Sequence, residues 1–166
     1  MDIFNQELLS FWRALNNHKV KYIMVGGVAT NFNGYQRTTD DADLWIADTV
    51  ENRKNLRFAF KEYGMGDFFM MERMQFVPGW TYFHLNNGLR LDVMTDVKGL
   101  EGFGFDECHK VASIAEIENV SIPFLHINHL IEAKKAANRP KDQLDILYLE
   151  KIKKLGSEAD TNSNPL

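Results

Sequence analysis

The sequence predicts an α/β protein of the α+β kind: a mixed β-sheet flanked by helices and closed by a C-terminal helical pair. Three observations predict it. Tyr22 to Val25 (YIMV) is a short apolar run that reads as a buried strand and breaks at Gly26-Gly27. Asn87-Gly88, a strong hairpin signal, lies between the strand-like stretches TYFHL and LRLDVM. Apolar residues at helical spacing recur near the N-terminus and twice between His126 and Leu155.

Composition bounds the rest. A chain of 166 residues fits one domain large enough to bury a sizeable core, and 45% hydrophobic with 25% charged residues is ordinary globular usage. Residues 1–155 read as that domain, and 156–166 as a polar, disordered tail. The single cysteine, Cys108, has no internal disulfide partner, and no apolar run reaches the roughly 18 to 20 residues of a membrane span. The first residues, MDIFNQELLSFW, begin acidic and carry no signal-peptide pattern, so the expected location is the cytoplasm, with no membrane partner. A net charge of −4 argues against a surface dominated by nucleic-acid backbone contacts, while leaving room for a local patch such as Lys134, Lys135, Arg139 and Lys141.

Taken in order, Ile3 to His18 places Phe4, Leu8, Phe11, Trp12 and Leu15 near helical spacing and ends at Asn16-Asn17. Thr49 to Tyr63 has a capping residue at its start, Gly64 at its end, and Val50, Leu56, Phe60 and Tyr63 toward one side. Gly64 to Gly79 is apolar without a clean period, and core filling is favoured there over an acceptor pocket. Val97 to His109 reads as loop with a helical turn, and Val111 to Ile117 with Val120 to Phe124 as a short strand pair. His126 to Asn138 reads as a helix with Leu130, Ile131 and Ala133 inward. Pro140 starts another, with Leu144, Ile146, Leu147, Tyr148 and Ile152 as candidates for its buried side. The five histidines show no metal-ligand spacing and are taken as structural or surface residues.

The chemistry concentrates between Tyr22 and Ile46. Gly26-Gly27 follows a strand and opens a helical pattern, where glycines let backbone N–H groups approach a phosphate closely. Ala42 to Ile46 reads as a second strand, so Asp41 and Asp43, two residues apart, point the same way. Two carboxylates at that spacing repel unless a cation lies between them, and a hard divalent ion with oxygen ligands is the usual answer. Asp92, bracketed by Leu91 and Val93 on the outgoing hairpin strand, is costly to place without a partner.

Gly26-Gly27, a thirteen-residue gap (28–40), and then Asp41-x-Asp43-Leu44 preceded by Arg37-x-Thr39-x resembles the signature of the DNA polymerase β-type nucleotidyltransferase superfamily, specifically its small bacterial members. The resemblance covers roughly Val20 to Leu149. It implies a nucleotidyltransferase-like mixed sheet and transfer of a nucleoside monophosphate from a nucleoside triphosphate, ATP among the candidates, to an acceptor hydroxyl, with release of pyrophosphate. It implies two Mg²⁺ (or Mn²⁺) ions held by Asp41, Asp43 and Asp92, with Asp92 on the neighbouring strand. It also implies triphosphate contacts from Gly26, Gly27, Arg37, Thr39 and Lys134, with adjacent Lys135 as the competing choice for the last. Arg139, Asp142 and Asp145 would hold the last two helices together through ion pairs and caps.

Many members of that superfamily have Gly-Ser where this chain has Gly26-Gly27, which removes a hydroxyl and keeps the backbone donors. Members with Gly-Gly include antibiotic-modifying enzymes and toxins of toxin–antitoxin pairs. The acceptor is therefore left open among tRNA or other RNA, protein and small molecules, and an antitoxin partner is one implied option. The competing reading is a non-catalytic module of the same fold that binds nucleotide or protein. Three confined carboxylates favour catalysis, because a binding module has no need of them.

Overall fold

The computed structural model describes residues 6–76 and 79–162. Its elements in chain order are α1 (Gln6–Asn17), β1 (Tyr22–Val25), α2 (Gly26–Phe32), β2 (Asp41–Ile46), α3 (Val50–Tyr63), β3 (Trp80–His84), β4 (Arg90–Met94), α4 (Gly104–Lys110), β5 (Ser113–Ile117), β6 (Val120–Phe124), α5 (Ile127–Ala137) and α6 (Pro140–Asn162). The strands form one sheet in the order β3-β4-β2-β1-β6-β5. It is mixed: β2 runs parallel to β4 and β1 parallel to β6, while β1–β2, β3–β4 and β5–β6 are antiparallel.

Side-chain alternation divides the central strands into two faces. Ala42, Leu44 and Ile46 of β2 and Leu91 and Val93 of β4 are buried. Phe83, the β3 partner of Leu91, carries the Phe60 ring of α3 at 5.0 Å, and Phe60 in turn meets Phe11 of α1 at 5.9 Å, so these two helices cover that face. The opposite face of the same strands carries Asp41, Asp43 and Asp92. An apolar core thus lies under one side of the sheet, and on the other the carboxylates emerge beside the buried Ile23 and Trp45.

Local chemistry sets the element ends much as expected. The Thr49 hydroxyl accepts the Asn52 N–H, and Gly64 ends α3 in the left-handed region at φ 103°. Glu118 and Asn119, both at positive φ, turn the chain between β5 and β6. The His126 ring accepts the Asn128 N–H at the start of α5, which gives one of the five histidines its structural role.

Several assignments differ. On α3, Val50 is exposed and Arg53 is buried, because Arg53 donates to Asp48 and to the Met74 carbonyl and lies over the Phe76 ring at 4.4 Å. Between Gly64 and Gly79, Met71 and Phe76 fill the core but Phe69 and Met70 are exposed, so core filling holds for only part of that stretch. Residues 77 and 78 lie outside the described residues, as does the Ile3–Phe4 start of the first helix. The helix α6 continues to Asn162, past the expected end near Leu155; no proline interrupts it, and Ser157 donates to the Lys153 carbonyl one turn back. Residues 163–166 of the expected tail lie outside the described residues.

The buried side of α6 is the largest correction. Leu144, Leu147 and Tyr148 are exposed, and Asp142, Asp145 and Leu149 point inward. Carboxylates can occupy that face because cations from three segments meet them there.

Candidate active site

Parallel pairing of β2 with β4 sets Asp43 opposite Asp92 and Asp41 opposite Arg90. One carboxylate oxygen from each of Asp41, Asp43 and Asp92 lies within 4.8 Å of the other two, among the half-buried residues at the sheet's polar face. Such a cluster is strained without a counter-ion. The Asp43 carboxyl is pushed up to about 7, first by burial and then by the charges of Asp41 and Asp92, with Lys141 and Arg139 pulling the other way. The donor set is three hard anionic oxygens whose repulsion the protein's own cations do not cancel, which fits Mg²⁺ or Mn²⁺.

Arg90 contributes what the sequence reading did not foresee. Its Nε donates to Asp92 Oδ1 at 2.8 Å, which fixes the orientation of that carboxylate. The signal was available: an arginine two residues before an aspartate on one strand shares its face.

A cavity of about 490 Å³ opens above the cluster, with Gly26, Gly27, Arg37, Thr39, Lys134 and Arg139 among its lining residues. Gly26 sits at φ +62°, and a Cβ there would overlap the Asp43 carboxylate. A Cβ on Gly27 would overlap the Thr39 hydroxyl, which itself donates to the Asp41 carbonyl at 3.2 Å. The two glycines are therefore what lets β2 bring its carboxylates against the start of α2. Gly26 and Gly27 begin that helix, where N–H groups lack an intrahelical acceptor.

Across the cavity, two carboxylates of α6 organise the cations. Asp145 accepts from Arg37 Nε and Nη2, each at 2.8 Å, and from Lys134 Nζ at 2.7 Å. Asp142 accepts from Arg139 Nε at 2.6 Å and Nη2 at 3.1 Å, and lies 3.7 Å from Lys134 Nζ. Burial raises the Asp142 pKa, but hydrogen bonds from Arg139 and the charges of Arg139 and Lys134 outweigh it and hold the carboxyl below its ordinary value. Arg37 and Lys134, two of the five residues that the family resemblance implies as phosphate contacts, thus meet on one buried carboxylate 108 and 11 residues away respectively. Lys135 is exposed and pairs, among the described residues, with Glu132 on its own helix, 3.7 Å away; of the two lysines, Lys134 lines the cavity. Lys98 and Lys141, unmarked in the sequence reading as site residues, line it too.

No protein-family model matches the chain, and no curated protein sequence does. Solved structures do. A protein of Thermotoga maritima provisionally classed as a nucleotidyltransferase aligns over 93% of this chain and 91% of its own, at 16% identity and a TM-score of 0.52. An antigenic nucleotidyltransferase-like protein of Paracoccidioides brasiliensis aligns over 90% of this chain and 73% of its own, at 15% identity and a TM-score of 0.53. At such identities the likeness is one of fold, and the fold of this chain is that of the nucleotidyltransferases.

Proposed function

We propose that the chain is a divalent-metal-dependent nucleotidyltransferase, moving a nucleoside monophosphate from a nucleoside triphosphate to an acceptor hydroxyl. One observation carries the reading: three convergent carboxylates face a set of clamped cations across a single cavity. That polarity suits a metal-bound polyphosphate, with the ions on the Asp41–Asp43–Asp92 side and Arg37, Lys134 and Arg139 on the other.

Asp41 and Asp43 would hold both ions, and Asp92 would complete one site. Bound there, the ions would make the acceptor hydroxyl more acidic and offset the charge of the leaving group. The acceptor oxygen attacks the α-phosphorus, the bond from that phosphorus to the bridging oxygen breaks, and its electron pair departs with pyrophosphate. The hydroxyl proton passes to the Asp92 oxygen that Arg90 leaves free. Gly26 and Gly27 N–H groups, the Thr39 hydroxyl, Arg37 and Lys134 hold the triphosphate in line. Asp145 positions the last two before substrate arrives, so little ordering is left for the bound state.

The test is incubation of the protein with each of the four α-labelled nucleoside triphosphates, Mg²⁺, and separate pools of RNA, protein and small hydroxylated molecules. Label transfer with matching pyrophosphate release is the expected result. No transfer to any pool, with triphosphate bound intact, would overturn the catalytic reading.

A further inference from the structure

The outer edge of the sheet carries a feature that nucleotide binding does not explain. Trp80 and Tyr82 on β3 are 42% and 53% exposed, although tryptophan and tyrosine bury large apolar faces when they serve a core. They are not on the core side. Tyr82 is the cross-strand partner of Asp92, and Trp80 that of Met94, so both rings rise from the face that bears the carboxylate cluster. The ring centroids are 6.5 Å apart. Arg90 joins this surface to the cluster: its guanidinium lies 4.5 Å from the Tyr82 ring and 5.6 Å from the Trp80 ring while its Nε holds Asp92.

The cavity cations Arg37, Lys134 and Arg139 flank the cluster from the helical side, whereas this aromatic surface flanks it from the sheet edge. Building on the transfer reading above, the acceptor would approach across β3. We propose that Trp80, Tyr82 and Arg90 form a stacking platform for the 3′ end of a single-stranded nucleic acid, which presents its terminal ribose hydroxyl to Asp92. Two exposed rings separated by about twice the ~3.4 Å base repeat can each take one base of an unstacked strand. The guanidinium supplies a planar cation that stacks with bases and pairs with phosphate. Attack by the terminal hydroxyl lengthens the strand by one nucleotide, with loss of pyrophosphate and transfer of the hydroxyl proton to Asp92.

The experiment is fluorescence anisotropy of a 5′-labelled oligoribonucleotide of about eight nucleotides, within the ~4 to 16-nucleotide range of stacking sites, titrated with the full chain in magnesium buffer. Tyr82→Ala and Trp80→Ala should each weaken binding by roughly 5- to 150-fold, the loss of one stacked base. Tyr82→Phe and Trp80→Phe should bind within a few-fold of the native chain, and a duplex of the same sequence should bind less tightly. Because both positions are exposed, the alanine variants should keep the native melting temperature and native triphosphate affinity. Unchanged binding in the alanine variants, absence of oligonucleotide binding, or equal competition by a free nucleoside would each overturn the platform. Triphosphate binding with no oligonucleotide binding would leave the transfer reading standing without the platform. Ring-dependent oligonucleotide binding without metal-dependent triphosphate binding would leave the platform and remove the transfer reading.

Discussion

Gly26 lies against Asp43 so closely that the smallest side chain at position 26 would overlap the carboxylate. Its φ of +62° adds backbone strain for any replacement, typically about 1–2 kcal/mol. Gly26→Ala should therefore lower stability by about that amount and also displace Asp43, abolishing metal-dependent triphosphate binding. Gly66→Ala is the control, since Gly66 also has positive φ but open space around it. It should lower the melting temperature and leave binding intact. Equal loss of binding in both variants would show that the contact with Asp43 is not the cause.

The Asp145 clamp makes a second prediction. Lys134→Ala leaves Arg37 on Asp145 and Arg139 on Asp142, so neither buried carboxylate of α6 loses its last cation while the cavity loses one. Triphosphate affinity should fall by about 1.5–3 kcal/mol, the range for a hydrogen bond to a charged group. Lys135→Ala should do nothing. Asp145→Ala instead strands the buried Lys134 and the Arg37 guanidinium, and should destabilise the fold by about 3 kcal/mol in urea unfolding. A Lys135→Ala loss matching that of Lys134→Ala would contradict the clamp.

Acidity at the cluster sets a pH dependence. In the unfolded chain Asp43 ionises near its ordinary value of 3.8, but in the folded, metal-free protein it keeps its proton up to about pH 7. The folded state thus binds the extra proton between those values, and the stability this gives is present at low pH and lost as pH rises toward 7. In chelator, the melting temperature should be higher at pH 5 than at pH 8, and Asp43→Asn should remove most of the difference. Mg²⁺ at pH 8 should restore stability by taking the proton's place. An Asp43→Asn protein with the native pH profile would assign the effect to other groups.

Much of this was legible in the sequence because it rests on short-range rules. Alternation on β2 puts Asp41 and Asp43 on one face, the family resemblance implies Asp92 on the neighbouring strand, and Thr49, Gly64, Asn87-Gly88 and Pro140 mark ends through local backbone chemistry. What escaped depends on contacts between distant segments. The inward face of α6 was read from its leucines, yet Asp142 and Asp145 are buried there because Arg37, Lys134 and Arg139 neutralise them, and hydropathy cannot see a partner 108 residues away. Tyr82 reads in the sequence as a strand residue and Trp80 as the end of an apolar stretch without a clean period, and their exposure follows from β3 having no neighbour on one side among the described strands.

The central claim is that Asp41, Asp43 and Asp92 form one metal site serving a triphosphate on one side and an acceptor on the other. Calorimetric titration of a non-hydrolysable triphosphate into the native protein and Asp92→Asn, each with Mg²⁺ and with chelator, tests it most directly when paired with transfer rates. The account predicts Mg²⁺-dependent binding in both proteins, because Asp41, Asp43 and the glycine donors remain, with transfer in Asp92→Asn reduced by at least about 10² to 10⁴-fold. Equal affinity with and without Mg²⁺, or native transfer by Asp92→Asn, would contradict it.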